Sequence, residues 1–184
     1  MSSIKNLLML SVRQRELCKR LKSSRGRLFR MAYAWSHDSD MADEVVQLTM
    51  IKAMNNVDKV KDIHALDGWL FRVLSNCFLD LCRKQRDEVD IDDIVLFDCD
   101  TPESIHSKNE MLTAVKSAIA TLPFKHRQVV TLVDIENFTY AEVAEIIDVP
   151  LGTIMSRLNR ARQTLKKVLN APNENHESIL RVVQ

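Results

Sequence analysis

The sequence predicts an all-α protein: two small helical domains joined by an acidic linker, the second containing a helix-turn-helix. Three observations lead there. The 184 residues include only 3 Gly and 4 Pro, too few turn residues for a sandwich or barrel. Apolar residues recur at three- and four-residue spacing in several separate stretches. Charge falls into blocks that cancel almost completely over the whole chain. The length suits one ordinary domain or two small ones and excludes a large multi-domain enzyme. A hydrophobic fraction of 46% and a charged fraction of 28% match a folded soluble protein and exclude wholesale disorder.

Taken in order, the opening Met1–Leu10 carries a short apolar patch, but no small-residue cleavage site follows it. Arg13, Arg15, Lys19 and Arg20 come next, so this segment reads as a helix start rather than a signal peptide. From Lys22 to Trp35, Leu28, Met31, Ala32 and Trp35 share one helical face. His37-Asp38-Ser39-Asp40 breaks the pattern and offers Asp38 and Ser39 as N-caps. The next helix, Asp40 to Asn55, buries Ala42, Val45, Val46, Thr49 and Ala53. Asn56–Gly68 is polar and irregular, a loop of a length that often carries function. Trp69–Arg83 is helical again, with Leu70, Leu74, Cys77 and Leu81 as its inner stripe. Residues 87–110 lack a period and form the linker. From Met111 a second set of helices begins, broken at Leu122-Pro123, and a polar tail starts near residue 173. The expected division is therefore 1–86, 87–110, 111–172 and 173–184.

Net charge is +1, but this is a cancellation. Residues 1–86 hold 16 basic against 9 acidic groups, 87–110 hold 9 acidic against 1 basic, and 111–184 hold 9 against 7. Arg157, Arg160, Arg162, Lys166 and Lys167 form a basic run free of acids. Such blocks suit two polyanion-binding modules around an acidic connector, or an ordinary solvated surface. If the connector offsets the modules, the separated halves bind DNA with a steeper salt dependence than the intact chain. Cys18, Cys77, Cys82 and Cys99 show no CxxC spacing, and reduced cytoplasmic thiols are expected. The five scattered His residues suggest no metal site. No apolar run reaches the ~18 residues of a membrane span.

The most specific local signal is Thr139 to Leu165. Thr139-Tyr140-Ala141-Glu142 has the form of a capping box, with Val143, Ala144 and Ile147 as the inner face of a short helix. Asp148-Val149-Pro150 forces a turn, with Asp148 where a left-handed Gly is usual. A second helix begins near Leu151, and small Ala144 and Gly152 would allow a close crossing. On that helix Ile154, Leu158, Ala161 and Leu165 face inward. Gly152, Ser156, Asn159, Arg160, Gln163 and Lys167 face outward, with Thr153 and Arg157 on one flank and Met155 and Arg162 on the other. Arg bound bidentately to guanine and Asn to adenine would suit the major groove; a solvated amphipathic helix is the plainer alternative.

The residues Arg30-Met31-Ala32 through Gln47-Leu48-Thr49-Met50, and Gly68-Trp69-Leu70-Phe71-Arg72-Val73-Leu74-Ser75-Asn76 with Asp80 and Arg83-Lys84, resemble the first domain of bacterial extracytoplasmic-function sigma factors. Leu122-Pro123 with Arg127-Gln128-Val129, then Tyr140 to Arg162 with its Gly152-Thr153-Ile154-x-Ser156-Arg157-Leu158-x-Arg160 core, is similar to their second domain. The resemblance runs over residues 22–170 in family order. It implies a subunit of RNA polymerase without cofactor or catalysis of its own. Core enzyme (the β′ clamp helices and the β subunit) would be met by Asp43, Val46, Gln47, Leu48 and Ile51. Leu48 is more often acidic in the family, and Met50 stands where Phe is common. An unpaired −10 strand would be read by Lys61, Arg72, Asn76, Arg83 and Lys84 beside the 56–68 loop. That loop has no aromatic residue, so a flipped base would be held by polar groups rather than by stacking. Duplex −35 DNA would be read by Arg127, Thr153, Met155, Ser156, Arg157, Asn159, Arg160 and Gln163. Promoter DNA is thus the second partner, an anti-sigma protein a further one the family leaves open, and membrane insertion is not expected. The linker would thread a basic channel of the enzyme or act as a solubilising spacer.

No nucleophile–base pair, paired carboxylate site, P-loop or metal spacing is visible, so an enzyme is disfavoured. The main rival is a dimeric helix-turn-helix regulator acting without polymerase, which predicts palindromic half-sites and leaves Asp43, Gln47 and the Trp69–Lys84 segment unexplained. A decoy that keeps the fold but has lost promoter use is disfavoured by the intact basic face around Arg160.

Overall fold

A computed structural model describes residues 12–56, 60, 62, 65–87 and 110–170. Its elements are α1 (Val12–Ser36), α2 (Ser39–Asn56), α3 (Leu66–Asp87), α4 (Glu110–Ala120), α5 (Phe124–Val130), a π-helical turn (Thr131–Ile135), α6 (Tyr140–Ile147) and α7 (Leu151–Asn170). Every regular element among the described residues is helical, as the scarcity of Gly and Pro requires. The chain start, nearly all of the acidic linker, the tail and six residues of the 56–68 loop (57–59, 61, 63 and 64) lie outside the described residues.

Each helix boundary has a local cause. α1 ends where His37 turns left-handed at φ 57°. Asp38 Oδ1 then accepts from the amides of Asp40 and Met41 at 2.8 and 2.9 Å, capping α2. The buried residues of α2 are Ala42, Val45, Val46, Thr49 and Ala53, the stripe that the spacing predicts. Its first turn has Asp40 at the positive end of the helix dipole. Pro123 precedes α5, where a missing amide hydrogen costs nothing.

α1 packs along α2, and α3 closes this amino-terminal bundle. Leu28, Met31, Ala32, Trp35, Leu70 and Leu74 are all within 2% of complete burial in it. In the second set, α7 lies against α4, α5 and α6. Ile154, Leu158 and Ala161 are fully enclosed, and Leu165 packs at the edge. The two sets share one contiguous core, which the separate small bundles of the sequence reading did not anticipate. α3 shows why. Its inner stripe of Leu70, Leu74, Cys77 and Leu81 is joined by buried Phe71, Ser75 and Phe78, so the helix has apolar contact on two sides.

Three expectations are corrected. Ile146 is more deeply buried than Ile147, because α6 packs on α3 as well as on α7. Gly152 is exposed, and a Cβ built on it meets nothing within 4 Å; the close crossing does not depend on it. Val46, assigned to the polymerase contact, is 0% exposed. It belongs to the α2 core stripe and has no surface to offer a partner.

Candidate nucleic-acid interface

The second half presents a helix-turn-helix built as the local residues dictate. Thr139 Oγ1 accepts from the Glu142 amide at 3.3 Å, and Glu142 Oε2 accepts from the Thr139 amide at 2.8 Å. Both halves of the capping box are therefore formed. The backbone bond from Thr139, followed by its hydroxyl bond, holds the Glu142 carboxyl below its usual range. Asp148 closes α6 at φ 53°, ψ 55°, the left-handed geometry its position predicts. The Val149 amide donates back to the Ala144 carbonyl at 3.1 Å, the long bond of a Schellman motif.

On α7, Gly152, Met155, Ser156, Asn159, Arg160, Gln163 and Lys167 are exposed, while Thr153 and Arg157 are half-buried on one flank. Met155 is 53% exposed, an apolar tip beside polar groups. The Ser156 hydroxyl donates to the Thr153 carbonyl at 3.0 Å and keeps its lone pairs for an incoming donor. Among the described residues no carboxylate pairs with Arg157 or Arg160. Arg162 is different: it grips Asp134 bidentately at 2.5 and 3.2 Å, tying α7 to the π-turn. Burial, then Arg160 and Arg157, lowers the His126 pKa, so α5 adds a titratable group to this cationic edge. Arg127 lies elsewhere. Its guanidinium donates to the carbonyls of Trp35, Ala120 and Leu122 at 2.9, 2.7 and 2.9 Å, which joins the two halves rather than offering a free cation.

The first half presents a second polar face on α3. Arg72, Asn76, Asp80, Arg83 and Lys84 are exposed on it. Asp80 accepts from Arg83 at 3.1 Å and from Lys52 of α2 at 3.3 Å. Between α2 and α3, Lys52, Asn56, Trp69, Val73 and Asn76 line a cavity of about 250 Å³. It exceeds the ~30 Å³ share of one water several-fold and is smaller than a drug-sized site. Its lining is mostly apolar, with the amides of Asn56 and Asn76 and the Lys52 ammonium beside the Trp69 indole. Trp69, which sequence reasoning did not single out, lines this cavity: the absence of an aromatic in the loop did not exclude one from the adjoining helix. Lys61 lies outside the described residues.

A third face is the outer side of α2. Gln47 and Ile51 are exposed, and Asp43 and Leu48 are half-buried. Asp43 carries an open ion pair to Arg25 at 3.5 Å, weak enough to be exchanged for a partner's cation. Met54, 54% exposed, extends the apolar pair of Leu48 and 57%-exposed Ile51. Its position seven residues after Gln47, off the buried stripe, was the signal that could have found it.

Known proteins match this arrangement. The family described as Sigma-70 region 2 matches residues 21–88, and that described as Sigma-70, region 4 matches residues 112–165. The chain is 33% identical over 138 residues to the ECF RNA polymerase sigma factor EcfG of Rhodopseudomonas palustris, covering 75% of this chain and 76% of that protein. It is also 33% identical over 149 residues to the ECF RNA polymerase sigma factor SigE of Mycolicibacterium smegmatis, covering 78% of this chain but only 57% of the longer relative. Among solved structures, the sigma factor RpoE of Bartonella quintana, in complex with the anti-sigma factor NepR, aligns with a TM-score of 0.67 at 27% identity, over 86% of this chain and 99% of that one. CnrH, in complex with the cytosolic domain of CnrY, shares the fold with a TM-score of 0.60 at 23% identity, over 87% and 91% of the two chains. With both regions matched in order and a relative covered over three quarters of its length, this chain belongs to the ECF RNA polymerase sigma factors.

Proposed function

We propose that the chain binds core RNA polymerase through Asp43, Gln47, Leu48, Ile51 and Met54 on α2, and directs initiation by reading two promoter elements. Asn159, Arg160, Ser156, Met155 and Gln163 of α7 read the −35 duplex, with Arg157 and Thr153 on the flank toward the phosphates. Arg72, Asn76, Arg83 and Lys84 of α3 follow the unpaired −10 strand. One flipped base enters the cavity between α2 and α3, stacked on Trp69 and bonded by Asn76 and Lys52; stacking of this kind contributes ~1–3 kcal/mol per base. The observation that carries this reading is the presence, in one chain, of an exposed recognition helix with two arginines that no carboxylate among the described residues pairs, and a cavity beside an amide-bearing cationic face.

Magnitudes require the polymerase. Unstacking about ten base steps at ~1.4 kcal/mol each costs on the order of 14 kcal/mol, against ~1–3 kcal/mol for a good bidentate base contact. The free chain therefore stabilises an opened strand without opening it. It acts as an initiation factor and supplies no catalysis of its own. An anti-sigma protein, as the anti-sigma factor NepR is to the similar sigma factor RpoE, would act by covering the α2 or α7 faces.

The test is a pair of substitutions in reconstituted transcription. Arg160→Ala lowers −35-dependent initiation and blurs sequence preference, by ~1–3 kcal/mol at one base pair, while Lys167→Ala weakens binding evenly across sequences. Equal, sequence-blind losses from both would remove Arg160 as a base reader.

A further inference from the structure

We propose that Met155 reads the C5 methyl group of a thymine in the −35 duplex, so that the promoters served by this chain carry a thymine where the second turn of α7 meets the base edges. The proposal rests on the −35 assignment above and adds to it the base, and the group on that base, that Met155 selects.

Over residues 151–161, α7 carries two charged side chains, Arg157 and Arg160, and both lie on one edge of the helix. No carboxylate among the described residues pairs with either. Along the other edge Leu151, Met155 and Asn159 follow at four-residue spacing and stand in line on the helix surface. Leu151 is 48% and Met155 53% exposed, and Asn159 is exposed beside them. Arg162 lies seven residues after Met155 on this edge, but its guanidinium donates to both Asp134 oxygens at 2.5 and 3.2 Å. Its charge is therefore matched within the chain. Gly152, one turn before Met155, is exposed, and the space where its side chain would stand is open. The start of α7 thus presents an unobstructed edge whose tip is apolar, opposite an edge that is cationic.

Base chemistry decides what such an edge can read. In the major groove the bases differ in their donors and acceptors, and thymine alone adds an apolar group, the C5 methyl. A thioether donates no hydrogen bond and accepts only weakly. Set against the cytosine or adenine amine, or against guanine O6, it strips water from a polar group and returns no partner. Set against the thymine methyl, it buries apolar surface on both sides. The unbranched methionine chain, with three rotatable bonds, lets that tip follow the methyl as the helix seats. Asn159, next along the edge, has the paired donor and acceptor that suit an adjoining adenine. The cationic edge keeps the guanine and phosphate contacts. Burying one methyl group corresponds to about fourfold in affinity, less than a bidentate contact supplies but enough to favour one base at one position.

The test removes that methyl alone. Holoenzyme assembled from core polymerase and the full chain selects −35 duplexes from a randomised library. Each thymine of the selected duplex is then exchanged singly for deoxyuridine, which pairs identically and lacks only the C5 methyl. At one position the exchange is expected to weaken binding about fourfold. With Met155→Ala that penalty disappears, and with Met155→Leu, which keeps an apolar tip, it returns. Equal penalties for the parent and Met155→Ala at every thymine, or a selected duplex without thymine, overturn the proposal; selection that still depends on Arg160 then leaves the −35 assignment standing. Selection of no sequence at all overturns both. Reduced recovery of core polymerase with Met155→Ala makes this edge a protein contact and overturns the proposal as well. Should Met155→Ala lose helicity, Met155→Gln, of similar length with a polar tip, takes its place, with the same loss of methyl dependence expected.

Discussion

Replacing Asp148 by Gly isolates the backbone cost of the helix-turn-helix turn. Asp148 sits at φ 53°, ψ 55° with its side chain exposed. An L-residue in this left-handed region costs ~1–2 kcal/mol relative to Gly, and Asp falls at the low end because its carboxylate can bond locally. Gly returns ~0.5–1 kcal/mol of that through the greater freedom of the unfolded chain. The carboxylate also stands at the negative end of α6, so its removal adds ~0.3 kcal/mol. The sum is a stabilisation of ~0.3–0.8 kcal/mol, or ~1–3 °C in Tm for a chain of this length. Thermal and urea unfolding, followed by circular dichroism with unchanged m, measures it. Asp148→Ala is the control: it removes the same charge but keeps a Cβ at positive φ, and is less stable than the Gly variant by roughly 0.5–1 kcal/mol, the left-handed cost less the entropy that Gly returns. Equal Tm for the Gly and Ala variants, or a Gly variant no more stable than the parent, would refute the backbone explanation.

Other outcomes follow from the same geometry. Burial, then the neighbouring Arg127, pushes the His37 pKa down to about 4 from 6.5, so the folded state prefers neutral imidazole. That preference stabilises the fold fully above pH 6.5 and is lost as pH falls from 6.5 toward 4. His37→Asn, which tolerates positive φ, flattens the Tm–pH profile in that window; an unchanged slope would assign the acid loss to other groups. Asp43→Ala with Gln47→Ala reduces co-purification with core polymerase by roughly tenfold, at ~1.4 kcal/mol for two interface contacts; undiminished recovery would discard the α2 face. Trp69→Leu weakens binding of holoenzyme to a single-stranded −10 oligonucleotide by ~1–3 kcal/mol while leaving −35 duplex binding intact. Equal loss on both would point to a folding defect instead.

What the sequence made legible was local. The α2 stripe, the Asp38 cap, the Thr139–Glu142 box and the left-handed Asp148 each depend on residues within a turn or two, where periodicity and capping chemistry decide the outcome. What it hid was tertiary. Ser75 and Gln128 are 53 residues apart and Trp35 and Thr131 are 96 apart, and no spacing rule pairs them. The π-turn at Thr131–Ile135 places Thr131 against the Trp35 indole, which helical periodicity does not foretell. Arg127 illustrates the limit for sites. By family position it belongs with the DNA readers, yet here three backbone carbonyls occupy its donors. Val46 shows the converse: its periodicity already placed it in the core, and the carried-over contact role conflicted with that local signal. Trp69 was quoted within a motif and not singled out, because its place in the cavity lining depends on how α3 packs beside α2.

The most direct measurement is run-off transcription from a fragmented genomic library by core RNA polymerase, with and without this protein. The account predicts a defined set of new transcripts whose start sites share paired −10 and −35 elements and which disappear with Arg160→Ala. Transcripts unchanged by adding the protein, with binding instead to palindromic duplex sites in the absence of polymerase, would contradict it.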